Sequence, residues 1–359
     1  NESSDIQAVR NMNTFLAAEG ATGDVNSILD VYDIFADSGY NVDSYSPLYS
    51  GRHFYYDKQY NQVLYVDTET NQVLFPEERK NDTVTSLQKG NHDLFSLSMT
   101  VPVPKKPDGY PENGGESIAV TVNDAKEFAY VVNAYNESSS IKNLTLTIGG
   151  TIDMMGAQCS IKEAKGTITI QGKEGSSAVI KNITANKATV TSDDNGQKKD
   201  AHYCCTVLIG EVRGETVNIK DITIENANIK NVEAGNVGFL IASVVGSEEK
   251  GKGADVTISN VKIKNSTAIG HRSVGAFIGI VGEGSSTVKI ANGCALENVN
   301  VKTVGGRSAL VIGTYEAKAE NLSISGFSVD KNSKLSIYEN AASEQQIFNG
   351  ATAPSTKPD

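Results

Sequence analysis

Between Val207 and Asn332 the chain repeats one phrase four times: an apolar run beside a glycine, a V-x-I strand, then an I-x-N turn. The runs are Val207 to Gly210, Phe239 to Ala242, Ala276 to Gly279 and Leu310 to Gly313. Asn231, Asn265, Asn298 and Asn332 recur at steps of 34, 33 and 34, and an inner series of Asn226, Asn260 and Asn292 keeps nearly the same step. A fixed period of this length specifies a stacked solenoid, because no single unit can bury its apolar face alone. Residues repeated for stacking are structural, so function is expected where the pattern breaks.

Within each unit the apolar residues alternate, as in Val217, Ile219, Ile222 and Ile224, or Val256, Ile258, Val261 and Ile263. Period two with β-branched residues is a half-buried strand. The segments between runs are too rich in Asn, Gly, Ser and Thr for helix pairs. Roughly three short strands per unit predict the coils of a right-handed parallel β-helix, in a mainly β chain. Asparagine suits the corners because it tolerates left-handed backbone. The sequons at Asn143, Asn182, Asn265 and Asn321 follow from that composition, because Asn corners beside Ser and Thr strands generate such triplets.

Residues 1–90 lack the repeat. Ile6, Val9, Met12, Phe15 and Leu16 form one helical stripe, and Ile28, Leu29, Val31, Tyr32 and Phe35 a second, capped by Asn26. Phe54 to Tyr65 is then echoed ten residues on by Val66 to Phe75, each copy placing a D-x-x-x-N turn before a Q-V-L strand. This predicts an antiparallel meander and a small α+β domain. Residues 91–116, with Pro and Gly from Val101 to Gly115, are expected to be a linker, and 349–359 a flexible tail. The solenoid is placed at 117–348, opened by a strand from Ile118 to Val122 and a helix capped by Asn123 that plugs the first coil.

A formal charge of −11 argues against nucleic acid or an anionic membrane as the main partner. No run approaches the roughly eighteen apolar residues of a membrane span. A chain beginning at Asn1 is expected to have lost an upstream segment in export or in preparation. Cys159, Cys204, Cys205 and Cys294 form no C-x-x-C pair and read as buried thiols, with a disulfide to Cys159 or Cys294 left open.

The helix from Asn123 to Asn133, then Leu144 to Met154, Ile168 to Gly172 and Val179 to Thr184 resemble bacterial surface β-helix proteins with GLUG-type repeats. The resemblance covers roughly 117–335. It departs at Thr151 to Met154, which replaces an acidic pair, and at Phe239 to Ala242, which lacks the second glycine. Residues 1–90 resemble, more weakly, small modules of Firmicute surface and pilin-like proteins. The resemblance implies an exported, extracellular cell-surface protein of adhesive or unknown role, and brings no catalytic residues.

Parallel β-helices also carry lyases and glycosidases, which need clustered carboxylates around calcium or an acid pair flanking the scissile bond. Among the solenoid aspartates only Asp193 and Asp194 are neighbours, in a polar insertion that also holds Lys198 and His202 and reads first as a solvated loop. His271 and Arg272 follow Gly270, and Arg307 follows Gly305 and Gly306 one unit on. Arg272 and Arg307 could stack to hold a carboxylated sugar, or could pair with Glu283 and Glu316 at exposed corners. No phosphate-loop, metalloprotease, nucleophile-elbow or EF-hand motif occurs, so no metal or cofactor is expected. The expected role is non-catalytic binding of carbohydrate or of a host or cell-surface protein, on insertions 192–202 and 247–253. A polysaccharide lyase or hydrolase, and a structural subunit of a surface appendage, are the alternatives.

Overall fold

Among the described residues of the computed structural model eight non-glycine residues have left-handed backbone, and six of them mark two corners of one long sheet. The structure describes residues 52–96 and 104–341, except 58, 61, 68–69, 76, 93, 155–157, 186–188, 193–197, 232–234, 304–306 and 338–339. The expected helices before residue 40 and the tail at 349–359 lie outside the described residues. The chain divides into two compact units, 1–104 with 154–158, and 105–153 with 159–359.

In the first unit, β1 (Arg52–Asp57), β2 (Gln62–Asp67) and β3 (Val73–Phe75) pair antiparallel in the expected meander. The D-x-x-x-N echo is a repeated turn: Asp57 accepts the N–H groups of Gln59 and Tyr60, and Asp67 that of Thr70. Two features depart from the sequence reading. A short helix α1 (Val84–Lys89) is closed by a reciprocal capping box between Thr83 and Ser86. Inside the expected linker, β4 (Leu94–Ser96) pairs with β1, completing the sheet order β3-β2-β1-β4. Leu64, Val66, Val73, Val84 and Leu87 form the core beneath.

The second unit is mainly β, with long parallel sheets. Strand Ser117–Val122 leads to helix α2 (Ala125–Glu137), whose N-cap is Asp124 and not the expected Asn123. The Asp124 carboxylate accepts the Glu127 N–H at 2.9 Å, while the Glu127 carboxylate reaches back to the Asn123 N–H at 2.8 Å. Ala125, Phe128, Ala129, Val131, Val132 and Tyr135 of α2 are buried.

Strands Thr216–Asn231 and Asp255–Gly270 each bend twice without leaving the sheet. Asp221 and Asn226 make the bends in the first, Asn260 and Asn265 in the second, all with φ between 49° and 57°. Register places Asp221 opposite Asn260, and Asn226 opposite Asn265. Further copies continue both rows: Asn182 and Asn298 the second, Gly293 and Gly326 the first. The expected outer series holds from Asn265 to Asn298 but slips at its first member, and the inner series slips too. Asn231 pairs with Gly270, and Asn226 and Asn260 belong to different corners. Counting at fixed steps fails because repeats differ in length, whereas register follows the apolar rows.

Those rows are as the repeat predicts. Ile209, Ile241, Ile278 and Ile312 pair in sequence along a five-stranded sheet that begins at Ile161–Glu163. All four isoleucines are fully buried. A third sheet runs through Lys198–Thr206, Asn236–Gly238, Ser273–Val274 and Arg307–Ser308. The two five-stranded sheets meet backbone to backbone, which is what the repeated glycines allow. A Cβ on Gly279 would stand 2.5 Å from the Ala242 carbonyl oxygen and 2.8 Å from the Val237 nitrogen.

Candidate functional site

The described parts of the insertions expected to carry ligand contacts hold regular backbone pairings. Thr189–Ser192 and Lys198–Thr206 pair as an antiparallel hairpin on the otherwise parallel stack, with a bulge between Val190 and Ser192. Lys198 and His202 lie on its second arm, where the structure places their backbones; Asp193 and Asp194 lie outside the described residues. The other insertion is a closed turn, in which Ser247 and Lys252 exchange backbone hydrogen bonds of 2.9 and 3.2 Å. Its Lys250 is paired with Glu215.

His271 and Arg272 are exposed at the bend between Asp255–Gly270 and Ser273–Val274. Register aligns Arg307 with Ser273, one residue past Arg272, so the two arginines do not occupy equivalent positions in successive repeats.

The polar groups that do converge were not singled out by the sequence pattern. In the second unit Glu163 and Glu211 are register partners on adjacent parallel strands. Glu211 is fully buried and accepts from Arg213 Nη2 at 2.8 Å. Burial, then the Glu211 carboxylate, push the Glu163 carboxyl upward, against Arg213, Lys250 and Lys165, which pull it down. Cys204 senses the same charges: burial first, then Glu211, Cys205 and Glu163, hold its thiol well above the ordinary range. Tyr135 on α2 is pushed up to about 12, by burial and secondarily by Glu163, although its hydrogen bond with Lys165 lowers it. The Lys165 ammonium sits 4.7 Å from the Tyr135 ring centre and donates to the Tyr135 carbonyl at 2.7 Å. The available signal was a glutamate two residues after the repeat isoleucine, where later repeats carry Ser243, Ile280 and Thr314. Attention to aspartates alone passed over it.

The first unit holds a second constellation. Asp57, fully buried, lies 2.7 Å from His92 Nδ1 and 3.7 Å from Arg79 Nη2. Tyr60 stacks on His92 with ring centres 4.7 Å apart and sits 4.1 Å from the Arg79 guanidinium carbon. Asp57 also caps the β1–β2 turn, so one carboxylate fixes the turn, the 3-10 turn at Glu77–Arg79 and the segment after α1. Tyr60 is the one large hydrophobic side chain that stands exposed among the described residues.

Asp153, Asn182 and Asn226 form a side-chain chain: Asn182 Nδ2 donates to Asp153 Oδ1 at 2.9 Å, and Asn226 Nδ2 to Asn182 Oδ1 at 2.7 Å. The conspicuous asparagines thus serve the stack. The four cysteines are buried and none is in a disulfide, which answers the disulfide alternative. Among the described residues no group of three or more His, Cys, Asp or Glu is placed to hold a metal ion, and no helix is long and apolar enough to cross a membrane. No family model, curated protein or solved structure matches the chain.

Proposed function

We propose that the second unit winds as a right-handed parallel β-helix of the GLUG-repeat kind and serves an extracellular, cell-surface protein as a non-catalytic spacer and binding scaffold for glycans or host-surface proteins. The observation that supports this reading is the register itself. From Ile118 to Leu335 the parallel pairs run on without a break, and asparagine chains, apolar rows and glycine contacts all serve adjacent repeats. A stack of this kind holds a surface at a distance and presents its insertions rigidly. The Lys198–Thr206 arm and the exposed His271 and Arg272 are the positions offered to a partner.

Glu163 and Glu211 favour a second reading, a β-helix lyase or glycoside hydrolase, because paired carboxylates with one raised above its usual range are the equipment of glycosidic bond cleavage. Full burial of Glu211 weighs against it, since a scissile bond must reach both acids. Incubating the full chain with pectins, alginates and host glycans separates the two. Retention on a glycan without new reducing or unsaturated ends supports the scaffold; product release that disappears in Glu211→Gln supports the enzyme; neither retention nor release, with host proteins also unbound, overturns the binding role.

A further inference from the structure

Strand Ile161–Glu163 is the terminal strand of its five-stranded sheet, and it is held from both sides. On the inner side Ile161 N–H donates to the Leu208 carbonyl at 2.8 Å and Ala164 N–H to the Glu211 carbonyl at 2.9 Å. On the outer side no strand among the described residues pairs with it, and helix α2 supplies substitutes. The Asn136 amide accepts the Lys162 N–H at 2.9 Å and donates to the Ser160 carbonyl at 3.0 Å, reproducing with one side chain what a neighbouring strand does. The Tyr135 hydroxyl accepts the Lys165 N–H at 2.6 Å and lies 3.0 Å from the Lys165 carbonyl.

The acid on this three-residue strand, Glu163, shares a register position with Glu211, and adjacent strands stand only about 4.8 Å apart. Glu211 is fully buried and its charge acts on Glu163, and like charges so placed disfavour ionisation of both. Among the described residues, the groups acting on the pair come from every neighbouring element: Arg213 on the partner strand, Lys250 from the 247–252 turn with its partner Glu215, Lys165 just beyond the strand, Tyr135 from α2, and Cys204 from the hairpin. The hairpin arm Thr189–Ser192 packs against this same strand.

We infer that Glu163 and Glu211 form a proton-operated latch: with Glu163 protonated the terminal strand stays clamped, and loss of that proton loosens residues 161–164 together with the hairpin that packs on them. The sign follows from the direction in which Glu163 is displaced. Burial and Glu211 raise it, so the fold favours the protonated form. Its contribution is complete below the ordinary carboxylate range and is lost as pH rises through the raised value. The latch is a property of the fold and stands whether or not the hairpin binds a partner.

Hydrogen–deuterium exchange of the full chain, corrected for the intrinsic pH dependence of amide exchange, tests it. Between about pH 5 and about pH 8, protection of 161–164 and of 198–206 should fall roughly tenfold more than that of 241–245. In Glu163→Gln that extra fall should vanish. In Asn136→Leu the same segments should exchange faster at every pH with the pH slope kept, because the outer clamp is lost and the acid pair is not. Equal slopes for 161–164 and 241–245 in the wild type, or an unchanged slope in Glu163→Gln, overturn the latch. The wild-type profile decides the matter by itself where a variant does not fold.

Discussion

Asn298 donates its side-chain amide to the Asn265 carboxamide oxygen at 3.0 Å, and both residues are left-handed, at φ 53° and 49°. The two properties belong together, since the left-handed bend presents side chains from adjacent strands to one another at the same corner. Asn298→Ala should therefore lose both the hydrogen bond and the residue type that tolerates the bend, costing about 1–3 kcal/mol. Asn298→Gly should lose the bond alone and cost less. Urea titration of both variants checks the order, and a glycine variant as unstable as the alanine one would show that backbone conformation plays no part.

A methyl group on Gly313 would stand 2.6 Å from the Gly279 carbonyl oxygen and from backbone atoms of Val274, none of which can swing away. Gly313→Ala is expected to melt well below the wild type or fail to fold. Gly150→Ala, with nothing within 4 Å of the added carbon, should shift stability by less than about 0.5 kcal/mol. Thermal melts of the pair measure the closeness of the two five-stranded sheets directly.

Asp330 carries the opposite pH sign to Glu163. Burial by itself would raise its carboxyl, but hydrogen bonds from the Ser333 hydroxyl and the N–H groups of Asn298, Ser333 and Asn332 overcome this and hold it below the usual range. A depressed carboxyl stabilises the fold above its unfolded-state value, and the contribution disappears as pH falls through the folded value. Asp330→Asn should thus lower the melting temperature at neutral pH and converge with the wild type in strong acid. A constant difference at all pH values would contradict the assignment.

The four thiols are buried, and burial is the leading cause of the upward displacement at Cys159, Cys204 and Cys294. Because the thiolate is the reactive form, native protein should resist Ellman's reagent at neutral pH and release four equivalents on denaturation. Rapid labelling of any one thiol in the native state would place it outside the core.

In the first unit Asp57→Asn would leave the Arg79 guanidinium and the His92 ring without their common anion. A loss of about 2–3 kcal/mol is expected, with the Tyr60 ring released as its two supports move. Tyrosine fluorescence and chemical denaturation report the two effects separately.

Much of this architecture was legible because β-branched residues at period two and an apolar run with glycine leave few folded alternatives; Ile209, Ile241, Ile278 and Ile312 align as the repeat predicts. The asparagine corners were legible in kind and only partly in register: Asn265 and Asn298 meet as spaced, and others do not. Asn231 is an asparagine at nearly the right step that pairs with Gly270, and only three-dimensional pairing reveals that Asp221 is the true counterpart of Asn260. The strand Leu94–Ser96 was hidden because its pairing partner, β1, lies far back in sequence. The polar constellations were hidden for the same reason. Glu163 meets Glu211, and Asp57 meets His92, across separations that no local pattern records. Arg272 and Arg307 show the converse: their spacing suggested equivalent positions, and register sets them one residue apart.

The side-chain amide of Asn136 gives the five-stranded sheet from Ile161 to Ile312 a closed first edge. Repeats are commonly gained by copying, and a copy inserted among the strands after Ile209 would find paired edges above and below it. A copy placed ahead of Ile161 would meet Asn136 and Tyr135 already occupying the edge it needs. A strand added after Ile209 should therefore be accommodated more readily than one added ahead of Ile161, where the helix stoppers the edge.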